Sequence, residues 1–448
     1  MKLFFGFLAV LFLQTAAAEQ VDLTVLNIDG IGFEKLNEVK QSEAVAWWLE
    51  MGDKLIVDIN QSDIDQLPKE VSVQSTLSNI NIDDLAFHVL GHCDHSQMDA
   101  ILHNHLNVVY AGDSVRIVNI ADIIDKNQLL KHDSILPFEK NTVLTYQISN
   151  RPIDKTLQKN NNIQNVLNQV NQNRWYSQVE YLAGLNRMLE TDLITAGNWL
   201  DSHFSTLGLN TSQISLHSHY RGFNILGFKQ GTTRADDWYI VGAHLDSRNA
   251  DKNDSLPSPG AEDNASGCSG VLEMAHVLSQ YETEASIIFM CFIEEENGLR
   301  GSKDVVTHFI NTGDISKVKT MLNMDMIGYR SPNSNRAIAG TNSQSYQSLA
   351  GSVASNGNLY TDIDWQVNLG MCCTDFVSFT SAGIPAVTSN EPDVWNYFAY
   401  HSTQDLAVNV DPSLAAGIIK ANLVTLIDLV GVDFTSADLI FADTFEAF

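Results

Sequence analysis

Between Val241 and Ser302 the sequence places His244, Asp246, Asp263, Glu295 and Glu296 at the ends of apolar runs, in the segments VGAHLDS, PGAEDNASG and FIEEENGLRGS. Ionisable groups in such positions are costly unless they bind something. Further on, Asp325 follows the apolar run TMLNM, and His401 opens His-Ser-Thr-Gln-Asp405. A hydrolytic site built on two divalent metals needs nitrogen and oxygen ligands, one carboxylate able to bridge, an open position for water, and a separate base. The candidates meet that need: His244 and His401 as imidazoles, Asp263, Glu296 and Asp325 as carboxylates, and Glu295 left over as general base. Asp246 stands two residues after His244, on the same side of an extended segment, where it can orient the ligand imidazole. Asp405 either serves His401 in the same way or caps a following helix. Taken singly, each acid also reads as part of a solvated face. The abrupt acids after IIFMCFI, and the Gly and small residues around Asp263 that permit close backbone approach, favour a site.

The elements that must position these residues are legible in the periodicity. From Trp175 onward, apolar residues at helical spacing (Val179, Leu182, Leu185, Met188, Leu189) give way to short strand candidates at 223–228, 238–243, 286–293, 321–326, 337–339 and 386–389, with helix-length segments between them. This predicts an α/β fold: a mostly parallel, mixed central sheet flanked by helices on both faces. In such sheets ligands bind at the carboxyl ends of strands, where His244, Asp246, Glu295, Glu296 and Asp325 all fall. Residues 19–157 alternate short strand-like runs with helix candidates near 34–50 and 97–105, and predict a small α+β domain of their own. Residues 158–173, QKNNNIQNVLNQVNQN, read as a polar linker open to a processing protease. The main domain then spans 174–433, and 434–448 form an acidic, aromatic tail.

Composition narrows the function classes. Of 448 residues, 54 are acidic and 26 basic, for a formal charge of −28. That field argues against nucleic-acid and anionic-membrane partners. Residues 1–18 combine one Lys, a short apolar run and a small-residue end, the pattern of a secretory signal peptide, so a secreted or periplasmic protein is expected. No later stretch offers some twenty consecutive apolar residues, which argues against a membrane span. His88, His92, Cys93, His95, His103 and His105 crowd one stretch, but irregular spacing and no C-x-x-C partner favour ordinary side chains over a second metal site. Cys268 and Cys291, in apolar surroundings, read as buried thiols.

The motifs GAHLDS, PGAEDNASG, EEENGLRGS, NMDMIGY and HSTQD, in this order between about Val179 and Val430, resemble those of secreted di-zinc aminopeptidases of the bacterial leucyl aminopeptidase type. The resemblance implies two zinc ions per chain. Asp263 would bridge them, His244 and Asp325 would complete one site, Glu296 and His401 the other, and Glu295 would be the base. It implies hydrolysis of the N-terminal residue from peptides or proteins, with an apolar pocket for its side chain; Met326, Met371, Trp395, Phe398 and Tyr400 are the candidates. Residues 19–157 would be a propeptide or accessory domain.

The chain departs from that pattern at GMCCTDFVSF, 370–379. Met371 stands where a tyrosine is expected, Phe376 replaces a histidine, and Cys372 and Cys373 are adjacent, so two free thiols are expected in place of a spaced disulfide. Two other readings stay open: a single-zinc glutaminyl cyclase on the same fold, and a catalytically inactive binding module.

Overall fold

The computed structural model describes residues 20–28, 33–51, 54–89, 107–111, 115–121, 135–138, 140–143, 148–149, 158–217, 220–250, 253–332, 334–371, 373–393 and 396–435. The expected signal peptide, the predicted helix near 97–105, His92, Cys93, His95, His103, His105, Cys372, Trp395 and most of the tail lie outside these residues.

The main domain is built on a mixed sheet. In spatial order its described strands are Ile148–Ser149, Asp364–Asn368, Arg336–Gly340, Ala386–Asn390, Val318–Met324, Arg234–His244, Ala285–Phe292, Asn224–Lys229 and Asn210–Ile214. The centre is parallel: Arg234–His244 runs with Ala285–Phe292 on one side and Val318–Met324 on the other, and Val318–Met324 runs with Ala386–Asn390. Strand Ala285–Phe292 is buried along its whole length because helices cover both faces. Alternation sorts its side chains. Ile287, Phe289 and Cys291 join the core beneath helices Ser266–Leu278 and Pro412–Val430, whereas Ile288, Met290 and Phe292 meet Val305 and Phe309 of helix Arg300–Thr312 and Phe376 and Phe379 of helix Phe376–Ser381. Helix Pro412–Val430 is long and apolar enough to cross a membrane by length and composition, and it is mostly buried inside this domain.

The N-terminal unit is a small β domain of two sheets with one described α-helix, Phe33–Lys40, and two short 3-10 turns, Gln61–Gln66 and Ile82–Asp84. The helix predicted over 34–50 ends at Lys40, and Val45–Met51 is a strand because Trp47, Leu49 and Met51 face one core cluster while Val45 and Trp48 face another. The unit leans on the main domain: Ser343 Oγ donates to the buried Glu50 Oε1 at 2.9 Å. His88 is buried on strand Leu85–Val89.

Two expectations are corrected. The stretch 158–173 is no linker: Asn161–Leu167 is a helix with Ile163, Val166 and Leu167 buried, and Gln172 begins helix Gln172–Ala183. Its asparagines do capping work, since Asn160 accepts from the Asn162 N–H and Asn171 from those of Asn173 and Arg174. The cysteines differ too. Cys268 and Cys291 form a disulfide, with Cα atoms 5.9 Å apart, because helix Ser266–Leu278 lies directly on strand Ala285–Phe292. Cys373 is also disulfide-bonded.

Candidate metal centre

Three adjacent parallel strands end at one place. His244 is the last residue of its strand, Glu295 and Glu296 follow Ala285–Phe292, and Asp325 follows Val318–Met324. Asp263 comes from the kinked turn before helix Ser266–Leu278, and His401 from the loop ahead of the last helix. His244 Nε2 lies 3.1 Å from Asp263 Oδ1 and 3.4 Å from Asp325 Oδ1. His401 Nε2 lies 2.9 Å from Asp263 Oδ2 and 3.5 Å from Glu296 Oε2. The residues thus form two groups able to hold a cation, His244–Asp263–Asp325 and Asp263–Glu296–His401, sharing Asp263. The 3.4 and 3.5 Å separations match tetrahedral coordination, in which bonds of about 2.0–2.2 Å place ligand atoms roughly 3.3–3.6 Å apart, and the 2.9 and 3.1 Å ones are somewhat shorter. Nitrogen and carboxylate donors of this kind fit zinc.

The loops that bring these ligands together are stitched by side chains. Asn264 Nδ2 donates to Met324 O, while Asn264 Oδ1 accepts from the N–H of Gly267 and of Met326. Glu262 accepts from the Gly328 N–H. Asp263 and Asp325 are therefore held in register by one another's loops. Gly267 is required here: a Cβ would stand 2.4 Å from both Asn264 Oδ1 and Met324 O. Asp405 serves the Asp263 turn rather than His401 or a helix cap. Its carboxylate accepts from the N–H groups of Glu262 (2.9 Å) and Asp263 (3.1 Å) and from Tyr397 Oη (2.7 Å). Asp246 faces His244, with its Oδ1 3.6 Å from His244 Nδ1, and makes further contacts. The Nδ1 atom of His244 is nearest Asp246 through its backbone oxygen, at 3.1 Å, whereas the Asp246 carboxylate accepts from the N–H groups of Glu295 and Glu296. Glu294, Met326 and His401, each next to or among the candidate ligands, have positive φ of 55°, 55° and 50°. Non-glycine residues bear this strain where surrounding structure holds them, as site residues often do.

The electrostatics are those of buried acids and imidazoles crowded together. Burial pushes Glu295 well above the ordinary carboxylate range, helped by Glu296, Asp325 and Asp375 and opposed by His244. Burial similarly raises Glu296 to about 7 against the pull of His401. Burial opposes ionisation of Asp263 too, but hydrogen bonds and charge from His244 and His401 outweigh it and hold its pKa below the usual range. Burial works to lower His244, yet Asp325, Glu295, Asp246 and Asp263 together raise it well above the usual imidazole value.

The expected substrate-side residues divide. Met326, Tyr397 and Ala399 form a small buried cluster with Tyr329 and Tyr400 packed against it, and the Tyr400 ring stacks on His401 at 3.7 Å. Phe398 is 74% exposed. Met371 packs over Gly340 and against the cluster containing Phe376 and Phe379, away from Met326. Trp395 is among the undescribed residues.

Sequence reasoning missed two charged residues. Arg187 is fully buried and donates to the carbonyl oxygens of Leu182, Leu245, Pro259 and Gly260, gripping the chain just after His244 and just before Asp263. Asp375 is fully buried near His244, Asp325 and Asp246, with a pKa raised by burial to about 7. No periodicity marks either residue; TDF at 374–376 was the only trace of Asp375.

Sheet and site together define an α/β domain with a candidate two-cation centre at the carboxyl ends of its strands. Residues 224–426 match the model of peptidase family M28. A probable zinc metalloprotease of Pyrenophora teres f. teres is 36% identical over 100 residues, covering 22% of this chain and 21% of that protein. The probable aminopeptidase YDR415C of Saccharomyces cerevisiae is 24% identical over 323 residues, covering 67% of this chain and 83% of that protein. The chain spans only 21% and 24% of the length of the two Pyrenophora relatives matched first. In fold it is similar to the Legionella pneumophila LapA aminopeptidase, with a TM-score of 0.57 and 18% identity, over 78% of this chain and 98% of that one.

Proposed function

We propose that this protein is a zinc-dependent aminopeptidase that binds two zinc ions and removes N-terminal residues, preferentially apolar ones, from peptides or proteins. The observation that carries the reading is Asp263, which sets one carboxylate oxygen against each of two imidazoles, with Asp325 and Glu296 completing the two groups. His244 and Asp325 would hold one ion, Glu296 and His401 the other, and Asp263 both. Zinc in these positions supplies Lewis acidity that polarises the scissile carbonyl and acidifies water. Glu295 accepts the proton of the attacking water and returns it to the leaving amine. Asp246 fixes the backbone of Glu295 and the imidazole of His244, which supports its role as a positioning group. The cluster of Met326, Tyr397 and Tyr400 offers apolar surface beside His401 for the N-terminal side chain.

The protein is exported after loss of residues 1–18, and the N-terminal unit is a propeptide or accessory domain removed or displaced in use. The buried helix at 161–167 is a poor place for a cut. The test is hydrolysis of a panel of aminoacyl p-nitroanilides with metal analysis, before and after limited proteolysis. Two zincs per chain and release of apolar N-terminal residues are expected. Hydrolysis of N-blocked peptides alone refutes exopeptidase action, and one zinc with pyroglutamate formation refutes both the metal count and the reaction.

A further inference from the structure

The Cys268–Cys291 disulfide lies directly beneath the ligand cluster. Cys268 is in the first turn of helix Ser266–Leu278, just after the turn that carries Asp263, and Cys291 is near the end of strand Ala285–Phe292, just before Glu295. In the parallel register Cys291 stands opposite Ala243, and Phe292 opposite His244. Cys268 Sγ lies 3.2 Å from the carbonyl oxygen of His244 and 3.6 Å from that of Ala243. The same helix start abuts the segment that carries Asp325, since Asn264 Oδ1 accepts from the N–H groups of Gly267 and Met326 and Asn264 Nδ2 donates to Met324 O. One covalent bond therefore joins the segment that holds Asp263 to the one that delivers Glu295 and Glu296, with the backbone of His244 against its sulfur.

The Asp263 turn needs such a tie. Asp263 and Asn264 leave the helical region, with φ of −114° and −136°, and Ala265 at the head of the next helix supplies no side-chain cap. An uncapped helix start beside an irregular turn is among the first parts of a fold to open. Both cysteines are fully buried, and unbonded sulfurs need more room than bonded ones, so breaking the bond is accommodated by moving the helix start off the strand. The reduced Cys268 thiol then has the His244 carbonyl oxygen at hand as an acceptor. The thiol pair is thus a second satisfied state of the site. A cation that holds Asp263 and Glu296 together opposes the same movement, so cation and bond stabilise each other.

Resting on the metal reading of the site, we infer that the Cys268–Cys291 bond is a redox-sensitive brace of the metal centre. Formed, it keeps Asp263 and Glu296 at the spacing that binds zinc; reduced, it lets the helix start shift and zinc affinity fall. The reductant is a thiol or a phosphine, and it reaches the bond only when the helix start opens. Metal loading is then strongest in an oxidising compartment.

The test measures zinc affinity of the full chain by competition with a chromogenic chelator, before and after treatment with a trialkylphosphine, with thiols located by alkylation and peptide mapping. The phosphine takes its oxygen from water and becomes the oxide, and the two electrons it gives up, with two protons, turn one S–S bond into two thiols. The zinc Kd should rise about tenfold or more on reduction, as when groups that orient metal ligands are lost, while circular dichroism remains that of the folded chain. The zinc-saturated chain should lose the Cys268–Cys291 bond more slowly than the metal-free chain. The Cys268→Ala/Cys291→Ala variant should bind zinc at the weaker level with or without phosphine. Free thiols at both positions in the untreated chain overturn the brace at the outset. An unchanged Kd in the reduced wild type overturns it whether or not the variant folds. A phosphine effect that persists in the double variant assigns the effect to the bond at Cys373 and overturns the brace as well. So does unfolding on reduction, because the bond would then hold the domain rather than the ligands. Equal reduction rates with and without zinc overturn the coupling. Failure of the oxidised chain to bind zinc overturns the metal reading on which the brace rests.

Discussion

Asp246 accepts a hydrogen bond from the backbone N–H of Glu295 at 3.1 Å, so the residue that was expected to steer an imidazole also sets the position of the expected base. Its second oxygen accepts from the Glu296 N–H at 3.3 Å, and its backbone oxygen faces His244 Nδ1. One residue thereby connects three members of the site. Asp246→Asn turns one acceptor into a donor that must face an N–H. Metal affinity or kcat should fall about 10–100-fold with the fold retained, measured by zinc titration and p-nitroanilide kinetics. An unchanged kcat and zinc affinity would remove Asp246 from the positioning role.

Glu295→Gln keeps the size of the side chain and removes its basicity. The expected loss in kcat is about 10²–10⁴-fold, with zinc content unchanged. Equal rates for variant and wild type would place the base elsewhere.

Arg187 tests how the ligand turns are held. Burial lowers its pKa to about 10, against the opposing charges of Asp405, Asp246 and Asp263, so the group is protonated at neutral pH. Arg187→Met leaves four carbonyl oxygens without their donor and three acids without their cation. Unfolding in urea should show a loss of about 3–5 kcal/mol, with part recovered in Arg187→Lys. A loss below about 1 kcal/mol would mean that water replaces the guanidinium at little cost.

Metal removal should destabilise the main domain. Asp263, Asp325, Glu295, Glu296 and Asp375 crowd one buried region, and a cation that binds only the folded state adds about 2.7 kcal/mol at a hundredfold excess over Kd. Chelation should lower Tm by roughly 5–10 °C in a domain of this size, and zinc should restore it. A Tm indifferent to chelator would show that the acids are settled by other means.

His276 predicts a pH effect away from the metal ligands. Burial first, then the charges of Arg174 and His203, depress its imidazole to about 4. An unfolded histidine titrates near 6.5, so below that pH the unfolded chain binds the extra proton. The contribution is complete above pH 6.5 and is lost as pH falls from 6.5 toward 4. The urea midpoint of His276→Gln should fall less steeply across that window than that of the wild type. Parallel curves would exclude His276 as a source of acid sensitivity.

The sequence by itself determined the sheet and the residues that meet at its strand ends. Apolar five- to eight-residue runs separated by helix-length segments suit strands covered on both faces, and ionisable groups placed abruptly after them fall at strand ends, as His244, Glu295 and Asp325 do. Local patterns could not determine what depends on how distant segments pack. The Asn-rich stretch 158–173 looked like a linker because its three buried apolar residues are outnumbered by polar ones, and only docking shows which face is covered. The Cys268–Cys291 bond exists because a helix rests on a neighbouring strand. Asp405 and Arg187 act through backbone atoms of remote turns, contacts that no side-chain spacing encodes. Their roles were decided by tertiary structure, since hydrogen bonds and burial depend on distances in space rather than along the chain.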